Sequence, residues 1–134
     1  MEFTSPAVQC AAAAAEVLAY IAAPAHLAEL LPSDRFTEFA VLPDGCSFKL
    51  TGGIPVVLTR AEDPAGGVKY ASAKGTPVKF FIVVYAADVP GAVGRCEVHA
   101  SGAAEVNAFT RMLVEKPLTQ VLDTLAQSLA ARFS

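Results

Sequence analysis

The sequence has no run of lysine or arginine; its ten basic residues stand singly among thirteen acidic ones, for a net charge of −3. A chain that tracks a nucleic-acid backbone, or clings to an anionic membrane surface, needs clustered cations, so neither partner is expected. Cysteine is scarce. Cys10, Cys46 and Cys96 are odd in number, widely separated and without a C-x-x-C pair. That pattern argues against a disulfide framework or a zinc site and for small buried thiols. Histidine is scarcer still: His26 and His99 have no partner at HxxxH or HxH spacing, so no metal site is expected. The opening Met-Glu-Phe-Thr-Ser lacks the cationic region of a signal peptide. The alanine-rich stretch 11–25 is too short to cross a bilayer and is broken by Glu16 and Pro24. These absences lead to the expectation of a reduced, cytoplasmic chain with no integral membrane segment and no cofactor.

What is present suits a packed core. The chain has 134 residues, 54% of them apolar and 17% charged, which fits one domain over 1–134 and not a disordered segment. Residues 2–10, with Pro6 among them, read as an edge strand. Helical spacing of Val17, Leu18 and Ile21 predicts a helix over 13–22, stopped by Pro24, and a second short helix over 26–31 before Pro32. From Arg35 the texture changes to short strands with turn punctuation: 36–42, Pro-Asp-Gly at 43–45, 46–51, 54–60, 68–74, 78–87 and 95–105. Tight turns at this spacing indicate an antiparallel meander. In the last strand Arg95, Glu97, His99 and Ser101 point one way and Cys96, Val98, Ala100 and Gly102 the other, which makes the second set the core face. Residues 107–132 then carry a broad apolar stripe through Leu118, Val121, Leu122, Leu125 and Leu129, with Asn107 as the expected N-cap and Pro117 as an expected kink.

A strand, two short helices, a meander and one long C-terminal helix follow the order of the helix-grip fold. The chain resembles the START-like, or SRPBCC, superfamily, which includes the birch-pollen-allergen-like proteins. Cys-Ser-Phe at 46–48, Thr-Pro-Val-Lys-Phe at 76–80, Val-Asn-Ala-Phe at 106–109 and Lys-Pro-Leu at 116–118 are similar to short uncharacterised bacterial members. The resemblance implies an α+β architecture: a curved antiparallel sheet of about six or seven strands wrapped around the final helix. It also implies a cavity between sheet and helix, and it maps no catalytic motif onto this chain.

Strand alternation then gives the expected lining of that cavity. Phe48, Leu50, Tyr70, Ser72, Phe80, Ile82, Val84 and Val98 come from the strands, and Phe109, Met112 and Leu113 from the helix. Tyr70 or Ser72 is the expected polar handle for a ligand. Strand 54–60 is apolar on both faces, so its inner side is left open. The other face of the 78–87 strand, Phe81, Val83 and Tyr85, is apolar too, and a second copy of the chain covering it would make a homodimer interface. Charged stems such as Lys69 and Arg95 could shield it instead. Glu97, His99 and Ser101 alternate on one face, yet residues two apart in a strand lie about 7 Å apart, too far for a nucleophile–base pair. The glycine pairs at 52–53 and 66–67 precede no Lys-Ser and no helix, so they are turns and not phosphate cradles. The leading expectation is a module that binds a small hydrophobic or amphipathic ligand. The alternatives are a polyketide-cyclase-like enzyme, and an interaction protein with a filled core that pairs through its outer sheet.

Overall fold

The computed structural model describes residues 2–30, 36–50, 53–73, 79–105 and 108–134, with side chains except at positions 28, 50, 54, 108–114 and 117. Its strands are β1 (Glu2–Thr4), β2 (Val8–Cys10), β3 (Thr37–Leu42), β4 (Gly45–Leu50), β5 (Ile54–Ala61), β6 (Val68–Ser72), β7 (Phe80–Asp88) and β8 (Cys96–Ala104). They form one curved antiparallel sheet in the order β1-β8-β7-β6-β5-β4-β3, with β2 also paired to β8. Residues from β3 to β8 make the meander that the turn spacing predicts. The N-terminal strands cross to its far edge.

Eight strands are seen where about six or seven are expected, because the first one is split. Thr4 lies opposite Ser101 and Val8 opposite Val98, so three residues, 5–7, face two, 99 and 100. This is a bulge at Pro6, which has no N–H to give to a ladder. Ser5 closes the gap: its N–H donates to the Ala100 carbonyl at 2.7 Å, and its hydroxyl accepts the Ala100 N–H at 2.9 Å.

Helix α1 (Ala14–Ile21), a 3-10 turn (Pro24–His26) and helix α2 (Leu27–Leu30) carry the chain from one edge of the sheet to the other. Helix α1 has Ala13 at its N-cap, which offers no side-chain oxygen. The missing acceptor arrives from 74 residues away: Asp88 Oδ1, at the end of β7, takes the Ala14 N–H at 2.7 Å. A carboxylate there also complements the positive end of the helix. Replacing Asp88 by alanine is expected to lower stability by about 1 kcal/mol, and by less with asparagine, which keeps an oxygen. Urea midpoints of the two variants check this; two unchanged midpoints would show that solvent caps the helix equally well.

Helix α3 (Ala108–Arg132) has 25 residues, about 38 Å at 1.5 Å per residue, and continues through position 117 without a break. Asn107, the expected cap, lies outside the described residues, as does the ring of Pro117. The stripe behaves as its spacing requires. Leu118, Val121, Leu122, Leu125, Ala126 and Leu129 are all buried, and α3 packs on β8, β2 and β1. Ser128 ties α3 to α2 by donating to the Leu30 carbonyl at 2.7 Å.

Candidate ligand site on the concave face

The inner surface is built in rows, one residue from each strand. Register places Tyr70, Ile82, Gly102 and Phe3 in one row, and Val68, Val84 and Ala100 in the next. Val56 and Leu58 are buried and so give the inner side of β5, which the sequence leaves open; Val57 and Thr59 face out. Of the expected lining, Phe48, Tyr70, Ile82, Val84 and Val98 are all at most 4% exposed and belong to one packed cluster with α1 and the second half of α3. Phe48 is held by two rings, Phe39 stacked at 6.0 Å and Phe36 edge-on at 5.7 Å. The side chains of Leu50, Phe109, Met112 and Leu113 lie outside the described residues.

The last row is different. Ser72, Phe80 and Ala104 sit where the strands end and α3 begins, and both Ser72 and Phe80 keep part of their surface accessible. Ala104 and Leu118 form a small satellite core there, with half-buried Phe80 and Phe3 against it. Among the described residues, Leu118 and Ala104 are buried in a cluster apart from the one under Val121–Leu129. Phe3 is a lining residue that strand alternation at the N-terminus did not single out; only its register opposite Gly102 brings it in.

Both expected polar handles already hold backbone. The Tyr70 hydroxyl donates to the Ile21 carbonyl at 2.7 Å, a buried bond that ties the sheet to the end of α1. Ser72 Oγ accepts the Phe80 N–H at 3.0 Å. A hydroxyl has two lone pairs and a proton, so this one bond does not exhaust Ser72.

Burial raises several titrating groups on this face. Tyr70 is pushed from 10.0 up to about 12 and Cys46 from 9.0 up to about 11, in both chiefly because the anion would be desolvated. Cys10 also moves from 9.0 up to about 11, by burial first and then by its neighbour Cys96. For such groups the unfolded chain ionises first. Their contribution to stability is thus whole below about pH 9 and is lost as pH rises toward 11–12. The urea midpoint is expected to fall above pH 9, and Cys46→Ala to blunt part of the fall. A midpoint that holds or climbs between pH 9 and 11 would contradict this reading.

On the outer face, Phe81, Val83 and Tyr85 do point away from the core, as alternation requires. Phe81 and Tyr85 keep part of their surface accessible, whereas Val83 is only 2% exposed within the single chain. The cover comes from the same chain. The turn between β5 and β6 lies so close that a Cβ on Gly67 would stand 2.7 Å from Val83 Cγ2 and 2.8 Å from Tyr85 Cε1. The Lys69 ammonium sits 4.4 Å from the Phe81 ring centroid, and His99 packs on Tyr85 at 5.2 Å. His99 is thus engaged with an aromatic ring and not with Glu97 or Ser101. His26 stacks on Tyr20 at 3.9 Å. Among the described residues no three histidine, cysteine or acidic side chains gather as metal ligands, and no helix is long and apolar enough to cross a membrane.

By sequence, the chain matches no protein-family model and no curated protein. Its structure has clear likenesses. An uncharacterised protein from Bacillus thuringiensis superposes with a TM-score of 0.72 at 12% identity, over 99% of this chain and 98% of that one. A START superfamily protein from Mycobacterium smegmatis gives 0.71 at 14% identity, over 98% and 96%. Norcoclaurine synthase from Thalictrum flavum, in complex with dopamine and hydroxybenzaldehyde, gives 0.70 at 19% identity, over 98% and 86%. At such identities what is shared is the fold: this chain has the START-like helix-grip fold.

Proposed function

We propose that this protein is a binding module for a small hydrophobic or amphipathic molecule held between the concave sheet face and the first half of α3. The observation that carries the reading is the exposure left on Phe80. On the same face of β7, Ile82 and Val84 are sealed, whereas Phe80 keeps part of its apolar surface accessible. Uncovered apolar surface on a concave face is what an apolar ligand removes from water, at about 25 cal/mol per Å². Ser72 stands on the same row and supplies a hydroxyl for a polar end. One row runs Gly45, Thr59, Ala71, Phe81 and Ala103 across the sheet. Asp44 lies on one side of that row and Phe80 on the other, so the entrance this reading supports is the end that holds Phe80, the β4–β5 turn at Gly53 and the start of α3. A protein of the same fold that holds dopamine and hydroxybenzaldehyde supports a ligand of about one ring in size.

Fluorescence titration with anilinonaphthalene sulfonate tests this directly, and the absence of tryptophan keeps the background low. One saturable site is expected, displaced by a medium-chain fatty acid. Phe80→Glu should weaken binding at least about 10-fold, the worth of one buried aromatic ring. Val41→Glu, at a position 56% exposed on the far edge, should leave it unchanged. Absence of saturation, or equal binding by the Phe80 variant, would defeat the proposal.

A further inference from the structure

Two cysteines that lie 86 positions apart in the chain are direct cross-strand neighbours in the sheet: Cys10 ends β2 and Cys96 begins β8, and the register sets them opposite each other. Directly opposed residues of an antiparallel pair have Cα atoms roughly 4.5–5.5 Å apart, inside the roughly 4.4–6.8 Å window of a disulfide. Both side chains face the core, 1% and 0% exposed, so the two opposed thiols lie on the same side of the sheet. All three cysteines are free of disulfides, and Cys46 lies in β4, far across the sheet order from β8.

We propose that Cys10 and Cys96 form an oxidation site, a latent disulfide that clamps the N-terminal edge strand to the last strand. The oxidant is a small-molecule disulfide. The Cys10 thiolate attacks one of its sulfurs and releases one small thiolate, leaving a mixed disulfide on Cys10. The Cys96 thiolate then attacks Cys10 Sγ and releases the second. Each departing thiolate takes up the proton that one cysteine lost. Two cysteines are oxidised and one small disulfide is reduced to two thiols.

Geometry also sets the pace. Buried, protonated thiols are poor nucleophiles, so exchange must await opening of the edge. Strand β2 is suited to that opening: it has three residues, follows the Pro6 bulge and, among the described residues, pairs only with β8. The Ala11 N–H donates to the Phe133 carbonyl, so the same opening frees the last turn of α3. Once formed, the bond closes a ring containing α1, α2 and β3–β7, a long loop whose closure restricts the unfolded chain.

Trypsin separates the three cysteines, since cleavage at Arg35, Lys49, Arg95 and Arg111 puts Cys10 in 1–35, Cys46 in 36–49 and Cys96 in 96–111. Full-length protein is equilibrated with oxidised and reduced glutathione in two ways, natively overnight and during refolding from urea. The expected product has lost two hydrogens, joins 1–35 to 96–111, and melts about 10 °C higher until dithiothreitol reverses it. Cys10→Ala should abolish the link and Cys46→Ala should preserve it. Glutathione adducts without the link under both regimes, a link to Cys46, or a linked product that melts no higher would each overturn the proposal.

Discussion

Gly45→Ala is expected to cost about 3 kcal/mol or more and to loosen the pairing of β4 with β5. An added Cβ would stand 1.8 Å from the Leu58 carbonyl oxygen and 2.9 Å from the Thr59 Cα. Those are backbone atoms of the neighbouring strand, and no rotamer change can move them. Gly45 pairs with both Leu42 and Thr59, so the strain falls on the β3–β4 hairpin and the β4–β5 ladder together. The glycine is needed here for close approach and not for a left-handed backbone. Gly91 provides the contrast: its φ is +77° and nothing lies within 4 Å of its Cβ position, so Gly91→Ala should cost only about 1 kcal/mol. Urea denaturation of the pair decides it. Similar losses for the two variants would mean that the strands part easily at Gly45.

Leu125→Ala is the second large effect, expected at about 2–5 kcal/mol. Leu125 is 1% exposed and lies in the main cluster with Leu122 and Leu129. Removing three carbons there leaves a void that rigid strand side chains cannot refill. Leu118→Ala, the same chemical change seven residues earlier, falls in the small Ala104–Leu118 core beside half-buried Phe80. It should cost less, about 1–2 kcal/mol, if the partly accessible Phe80 beside it can shift into the space left. The same variant should alter ligand affinity, whereas Leu125→Ala should act on stability alone. Equal costs at the two positions, measured as urea midpoints with unchanged slope, would show α3 to be packed uniformly and would remove the physical ground for a pocket under its first half.

Local period was enough to determine much of this protein. Alternation from Arg95 to Glu105 assigned the core face of β8, and Cys96, Val98, Ala100, Gly102 and Ala104 are indeed its buried set. The three- and four-residue spacing from Leu118 to Leu129 determined α3 and its inward stripe, and turn glycines and prolines located the meander. Such features depend on residues close in sequence, where strand and helix periods act. What the tertiary structure alone decided depends on register between distant segments. It chose Val56 and Leu58 as the inner side of β5, a strand whose two faces are equally apolar in sequence. It brought Asp88 to the start of α1, and gave the Tyr70 hydroxyl to Ile21. It folded the turn at Gly67 over Val83, burying one of the three outer-face residues that alternation left exposed. It set Cys10 against Cys96, two thiols whose separation in sequence argued against any bond between them. In each case the deciding quantity is a distance across strands. The chain's own order does not contain that distance until the sheet has closed.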